Sequence, residues 1–196
     1  MFEVLTLKTM KMHFIQDGID ILKLNKAKMA HVAGDKDATM WAFVILAVPF
    51  VANVILALLQ TTLFLSLQVK LLLVPLVSVV AVIFLMSFVA QKIFHAKGDH
   101  MAFFRVIAHA GLIMWVAIVP FVLGLLGVTD VYSIFNLVNL FAGAWMLVVT
   151  YHVLIDYYRL NQQNAIITIV LGVVGAAILQ SLLGRILIGK YYRFMY

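Results

Sequence analysis

The chain has 196 residues, of which 65% are hydrophobic and 11% are charged. Soluble domains usually carry about 25% charged residues, so this composition excludes an ordinary soluble domain and indicates that lipid is the solvent. The formal net charge of +6 is, in so apolar a chain, first a signal of membrane topology. No basic stripe has interleaved aromatic residues, so no nucleic-acid partner is predicted. Cysteine is absent, which excludes a disulfide framework and a thiolate metal site.

The first segment, residues 1–39, is predicted to be cytoplasmic and to contain an amphipathic helix over residues 2–30. Apolar residues recur there at helical spacing and share one face. Lysines of the same segment could reach anionic headgroups. The helix is either an interfacial anchor that can dock a partner or a helix that packs beneath the bundle. Because residues 1–39 have acidic residues among the lysines, no long apolar run and no small-residue cleavage site, a secretory signal peptide is not expected. The apolar face is Met12, Ile15, Ile19 and Leu22, and the lysines are Lys8, Lys11, Lys23, Lys26 and Lys28.

Five apolar segments are each long enough to cross a hydrocarbon core of about 30 Å. The predicted fold class is therefore all-α: a polytopic membrane protein with a bundle of five transmembrane helices over residues 40–188, preceded by the N-terminal amphipathic interfacial helix. Residues 189–196 form a short basic, aromatic tail. The predicted spans are Trp41–Leu59, Leu71–Ala90, Val106–Leu126, Ile134–Leu154 and Ala165–Leu183.

The distribution of lysine and arginine predicts the orientation. With five spans the termini lie on opposite sides, and the N-terminal side then carries ten of these residues against four on the other. The positive-inside rule places the N-terminus in the cytoplasm and the C-terminus outside, in the cell (plasma) membrane. The basic tail is the exception to this bias.

Two pairs of ionisable residues lie near the cytoplasmic ends of the third and fourth spans: Arg105 with His109, and His152 with Asp156. A spacing of four places each pair on one helix face. Because the two spans run antiparallel, Arg105 is expected level with Asp156, as an ion pair, and His109 level with His152. This candidate polar layer is interpreted as structural contact between helices, with a proton or cation site as the alternative.

A second group, His95, Asp99 and His100, is interpreted as solvated loop residues in preference to metal ligands. The sequence contains no Gly-rich phosphate loop, no His-Glu-x-x-His and no serine nucleophile elbow. No catalytic residue, cofactor site or metal site is therefore predicted, and the protein is not expected to be an enzyme.

Small residues of the fifth span, among them Gly172 and Gly175, predict close internal packing, with a homodimer interface as the alternative. Tyr157 and Tyr158 are predicted to be anchors of the aromatic belt at the membrane interface.

Residues 90–112, AQKIFHAKGDHMAFFRVIAHAGL, resemble the most recognisable part of the Yip family. A span end is followed by a short basic loop with Lys97-Gly98-Asp99, and then by Phe103 or Phe104, Arg105-Val106 and Ala110 at the entry to the next span. Tyr151–Ile166 is similar to the family's next cytoplasmic turn. The resemblance covers roughly residues 40–188.

The Yip resemblance implies a five-span domain without catalytic residues. The family is named for its interaction with Ypt/Rab GTPases, and its eukaryotic members act in traffic between endoplasmic reticulum and Golgi. This sequence lacks their Asp-Leu-Tyr-Gly-Pro motif, so the resemblance is to a prokaryotic-type member. The expected function is a membrane organiser or docking platform for a cytoplasmic protein, with a small proton or cation transporter or channel as the alternative.

Overall fold

Helices joined by short turns make up the structure, a computed structural model that describes residues 13–60, 65–126 and 131–192. A π-helical turn, Val89–Ile93, continues the fourth helix, and a 3-10 segment, Gly111–Ala117, joins the fifth helix to the sixth. No strand occurs in these ranges, so the all-α prediction is confirmed. The helices are α1 (residues 13–22), α2 (Lys26–Gly34), α3 (Ala38–Gln60), α4 (Leu65–Phe88), α5 (His100–Ala110), α6 (Ile118–Leu125), α7 (Val131–Asp156) and α8 (Gln162–Tyr192).

Four helical stretches are long and apolar enough to cross a membrane, and they coincide with the second to fifth predicted spans. A multi-pass membrane protein is therefore indicated. The first predicted span lies within α3, an apolar helix of 23 residues. The four stretches are Leu73–Ile93, His100–Pro120, Ser133–Asp156 and Gln162–Ile186.

Helix α8 extends further than the sequence predicted. It continues to Tyr192, so the first residues of the predicted 189–196 tail are helical. No proline interrupts the chain after Leu183, and an apolar helix without such a break can extend beyond the bilayer. The predictions for residues 1–12 and 193–196 lie outside the described residues.

The sequence predicted one continuous helix over residues 2–30, but the described part of this segment is broken into two helices. Helix α1 ends at residue 22, and Leu24 has a left-handed φ of 60°. Asn25 then begins α2 as its N-cap, because its side chain accepts a hydrogen bond from the Lys28 backbone N–H at 3.2 Å. Asparagine is among the strongest N-cap residues, and here that local preference outweighs the helical periodicity.

The described part of α1 packs on the bundle. Ile21 is fully buried, and the Trp145 indole N–H donates to the Leu22 carbonyl at 3.0 Å. A Cβ added to Gly18 would lie 2.9 Å from the His109 carbonyl oxygen, so only glycine allows this approach of α1 to α5. Of the two interpretations left open by the sequence, these contacts favour a helix packed against the other helices.

Helix α5 is the centre of the packing, and every residue of its 102–110 stretch is buried. Phe103 and Phe104 are fully buried, with Phe103 edge-on to Tyr158 at 5.2 Å and Phe104 stacked on Phe84 at 5.5 Å. Aromatic pairs in these geometries contribute about 0.5–1.5 kcal/mol beyond their buried area. They fix α5 against the ends of α4 and α7.

Two glycines of α8, Gly172 and Gly175, pack against α4. A side chain added to Gly172 would overlap Met86, and one added to Gly175 would overlap Leu85. Small residues allow this close approach of two helices in a membrane, where dispersion contacts replace the hydrophobic effect. The prediction of internal packing at these positions is confirmed.

Candidate polar site at one end of the bundle

The connections between helices α2 and α3, α4 and α5, and α7 and α8 lie together at one end of the bundle, which we call the polar end. Two contacts tie the start of α2 to the α7–α8 connection and that connection to the α4–α5 connection. The Lys26 ammonium lies 2.8 Å from an Asp156 oxygen, and the Tyr158 hydroxyl donates to the Asp99 carbonyl at 2.9 Å. Every residue of the predicted polar layer lies at or near this end.

Arg105 binds the C-terminal end of α2. Its guanidinium donates to the carbonyls of Ala33 and, at 3.1 Å, Asp35, and its side chain is 9% exposed. The last carbonyls of a helix have no partner within the helix and carry the negative end of its dipole. The buried Arg105 guanidinium donates hydrogen bonds to these carbonyls and places a positive charge at the negative end of the dipole. The Asp99 carboxylate lies 3.8 Å away and also caps α5, where it accepts from the Ala102 N–H at 2.9 Å.

Asp156 pairs with α2 and with its own helix, so the predicted Arg105–Asp156 ion pair is wrong. One Asp156 oxygen lies 2.8 Å from Lys26 Nζ, and the other lies 3.5 Å from His152 Nδ1 without accepting a hydrogen bond. The prediction considered two antiparallel spans alone. In the structure α2 supplies a partner to each residue: the carbonyls at its C-terminus to Arg105, and its first residue to Asp156.

The two histidines of the predicted layer each contact a residue four positions away on their own helix. His109 is buried, and its Nδ1 lies 2.8 Å from the Arg105 carbonyl oxygen. His152 is partly exposed and pairs with Asp156. The two residues of each predicted pair, Arg105 with His109 and His152 with Asp156, are therefore in contact with each other.

A polar cluster that the sequence analysis missed connects α4 to α5 and to the end of α7. Ser87 Oγ lies 2.7 Å from the Tyr158 hydroxyl and 2.8 Å from His100 Nδ1. The Gln91 amide donates to Ser87 at 3.2 Å and to Tyr158 at 3.3 Å. Ser87 is fully buried and Tyr158 is 1% exposed, so Tyr158 is a core residue and its prediction as an interfacial anchor is wrong.

The loop before α5 closes over the Tyr158 ring. A Cβ on Gly98 would lie 2.8 Å from two ring carbons, so glycine allows the backbone to cover the ring. Burial raises the pKa of the Tyr158 hydroxyl above its ordinary value, although the hydrogen bonds from Ser87 and Gln91 act in the opposite direction. The signal available in the sequence was the spacing of four between Ser87 and Gln91, which places both on one helix face.

The chemistry of the cluster is that of a structural contact. Ser87 and His100 are at the distance of a nucleophile and its base, but the hydroxyl is fully buried and shared with Tyr158 and Gln91. No three histidine or carboxylate side chains are grouped to hold a metal ion within residues 13–60, 65–126 and 131–192. His100 and Asp99, two of the suggested ligands, are occupied by Ser87 and by the α5 cap.

Comparison with protein-family models, with curated proteins and with solved structures finds no match to this chain. The resemblance to the Yip family has no support from these comparisons and stays a prediction.

Proposed function

We propose that this chain is a non-enzymatic membrane organiser that crosses the bilayer five times, with α3 as the first span. Its N-terminus lies in the cytoplasm and its C-terminus outside the plasma membrane. The observation that carries the proposal is a set of exposed basic side chains in the connections at the polar end and in the turn that precedes α2. They are Lys23, Lys36, Lys92, Lys97 and Arg159.

These side chains leave the polar end with an excess of exposed positive charge. The exposed acidic residues there are Asp37 and Asp99. Lys26 and Lys28, which the sequence analysis assigned to headgroup binding, form ion pairs with carboxylates of the chain itself; Lys28 lies 2.6 Å from Asp17. The exposed basic groups are therefore the ones available to anionic headgroups, at about 1 kcal/mol each near a charged surface.

The contacts of the buried polar residues support an organising role over a reaction. Arg105 holds the end of α2, and Tyr158 holds the loop before α5. Both contacts fix the geometry of the connections that present the basic side chains. A cytoplasmic protein with an acidic surface could dock on the same face, as the Yip resemblance implies, and a homodimer stays an alternative state.

Spin-labelled lipids test the proposal on protein reconstituted into phosphatidylcholine vesicles. We expect the wild type to select spin-labelled phosphatidylglycerol over phosphatidylcholine, and the triple variant Lys92→Gln, Lys97→Gln, Arg159→Gln to lose most of that selectivity. Arg185→Gln is the matched control, because Arg185 is also exposed but lies towards the other end of α8. Salt should weaken the selectivity of the wild type, since exposed charges are screened. A wild type without selectivity would contradict the headgroup proposal.

The alternative, a transporter or channel for protons or cations, is tested in the same vesicles with an entrapped pH dye under an imposed potential. We expect vesicles containing the wild type to stay tight, because Arg105 and Asp156 are engaged in helix contacts. Flux that is present in the wild type and lost in His109→Ala and Asp156→Asn would establish the transporter instead.

A further inference from the structure

A cavity of about 400 Å³ lies between the helices of the bundle, and none of the polar-site residues Arg105, His109, His152 and Asp156 lines it. Helices α3, α4, α7 and α8 and the 3-10 segment contribute to its wall. Its volume is within the range of about 300–1,000 Å³ that small-molecule sites occupy. At about 30 Å³ for each water-sized group, it has room for on the order of a dozen such groups.

The wall of the cavity is apolar in its chemistry. Three methionines line it: Met86, Met114 and Met146. The hydroxyls of Ser78 and Thr150, which also line it, donate to carbonyls of their own helices at 2.7 Å each. The Asn139 amide donates likewise to the Phe135 carbonyl at 2.9 Å, and Gln180, the remaining polar residue of the wall, is exposed. The flexible thioethers adapt to the shape of an apolar ligand.

The cavity is elongated along the helices. Phe135 and Thr150 both line it from α7, and at 1.5 Å per residue they are about 22 Å apart along the helix axis. This is more than half of a hydrocarbon core of about 30 Å. A long narrow ligand lying parallel to the helices therefore fits the cavity better than a compact one.

Lipid chains have access to this space from the side. Val79, Leu147 and Val173 line the cavity and are also exposed, at 36%, 42% and 46% of their surface. They belong to α4, α7 and α8, the helices that face lipid in a membrane. An apolar cavity does not hold water well, and an empty one forfeits dispersion contacts along its whole wall.

We infer that the cavity binds the acyl chain of a bilayer lipid, inserted between α4, α7 and α8. The site is independent of the headgroup contacts proposed above, because it depends on apolar shape and lies within the membrane. It is also unsuited to an ion, since no charged side chain lines it among the described residues.

Photolabelling tests this inference on the full chain in phosphatidylcholine vesicles. The reagent is phosphatidylcholine with a diazirine in its sn-2 chain, and labelled residues are located by mass spectrometry. We expect labels on Met146 and Met114 inside the cavity as well as on Phe141, which is 68% exposed to lipid. Label on Phe141 alone would overturn the inference.

Two adjacent alanines of α8 provide the matched variants. Ala176 lines the cavity, and Ala177 is exposed and does not. Ala176→Phe should abolish labelling of Met146 and leave labelling of Phe141 unchanged, whereas Ala177→Phe should change neither. Equal labelling of Met146 in both variants would overturn the assignment.

A second pair, Val173→Trp inside the cavity and Val174→Trp outside it, gives the same comparison if Ala176→Phe does not fold.

A free fatty acid with the same diazirine separates the two sources of an acyl chain. If the free acid labels Met146 and the phospholipid does not, the bilayer-lipid assignment is overturned in favour of a fatty acid. Because phosphatidylcholine is zwitterionic, labelling of Met146 by the phospholipid is independent of the basic surface.

Discussion

Removal of the Tyr158 hydroxyl is the sharpest perturbation of the polar end. In Tyr158→Phe the ring keeps its packing against Phe103, while Ser87 and the Asp99 carbonyl lose contacts of 2.7 and 2.9 Å. A net contribution of about 1 kcal/mol for each of these two hydrogen bonds, with Ser87 fully buried, predicts a loss of about 1–3 kcal/mol in the free energy of unfolding.

The assay is equilibrium unfolding by SDS titration in mixed micelles. Tyr151→Phe is the control, since Tyr151 lies in α7, which ends just before Tyr158, and its hydroxyl makes no hydrogen bond in the part of the chain that the structure describes. We expect a change of less than about 0.5 kcal/mol for the control, as for most substitutions that break no specific contact. Equal effects of the two variants would refute the structural role of the cluster.

A double-mutant cycle separates the Tyr158–Ser87 contact from general disruption. Tyr158→Phe and Ser87→Ala should combine to less than the sum of their separate costs, with a coupling energy of about 0.5–3 kcal/mol. Additive effects would show that the 2.7 Å contact contributes nothing on its own.

Two further predictions concern helix packing and pH. Gly172→Ala should destabilise the protein by about 1–3 kcal/mol, since its Cβ would overlap Met86, whereas Gly143→Ala, with no atom near its Cβ, should be neutral or stabilising; equal melting temperatures would contradict the packing. The free energy of unfolding should fall as the pH rises above about 10, because burial raises the pKa of Tyr158 above its ordinary value of about 10 and the tyrosine of the unfolded chain then loses its proton first. A hydrogen bond with Asp17 likewise raises the pKa of Lys28, and its contribution is lost as the pH rises through the folded-state value. Alkaline unfolding of Tyr158→Phe should be shallower than that of the wild type, and identical slopes would argue against a raised pKa.

The helical connections were predictable where local chemistry decides them. Glycine and aspartate are frequent where helices break, and α2 ends at Gly34. The turn at Leu24 was not predicted, because apolar residues recur at helical spacing on both sides of it. Both helix ends depend on a few neighbouring residues, and Asn25 is the local signal for the second.

The partners of the polar residues were not predictable in the same way. Spacing of four identified His152 with Asp156 and His109 with the Arg105 turn. It could not show that α2 would lie where it satisfies both Arg105 and Asp156, because a helix position relative to distant spans is not encoded in local spacing. Tyr158 was misassigned for the same reason: tyrosines near a span end occur both in aromatic belts and in cores.

The sequence by itself determined that this is an all-helical, multi-pass membrane protein, because spans must be apolar over a fixed length and charge cannot be buried cheaply in lipid. Only the tertiary structure decided which carbonyls and carboxylates the buried charges meet, and that several helices leave an elongated apolar cavity between them. Both depend on how helices far apart in the chain pack. In a membrane, that packing follows from side-chain shape and hydrogen bonding, and hydrophobicity does not distinguish one face of such a helix from another.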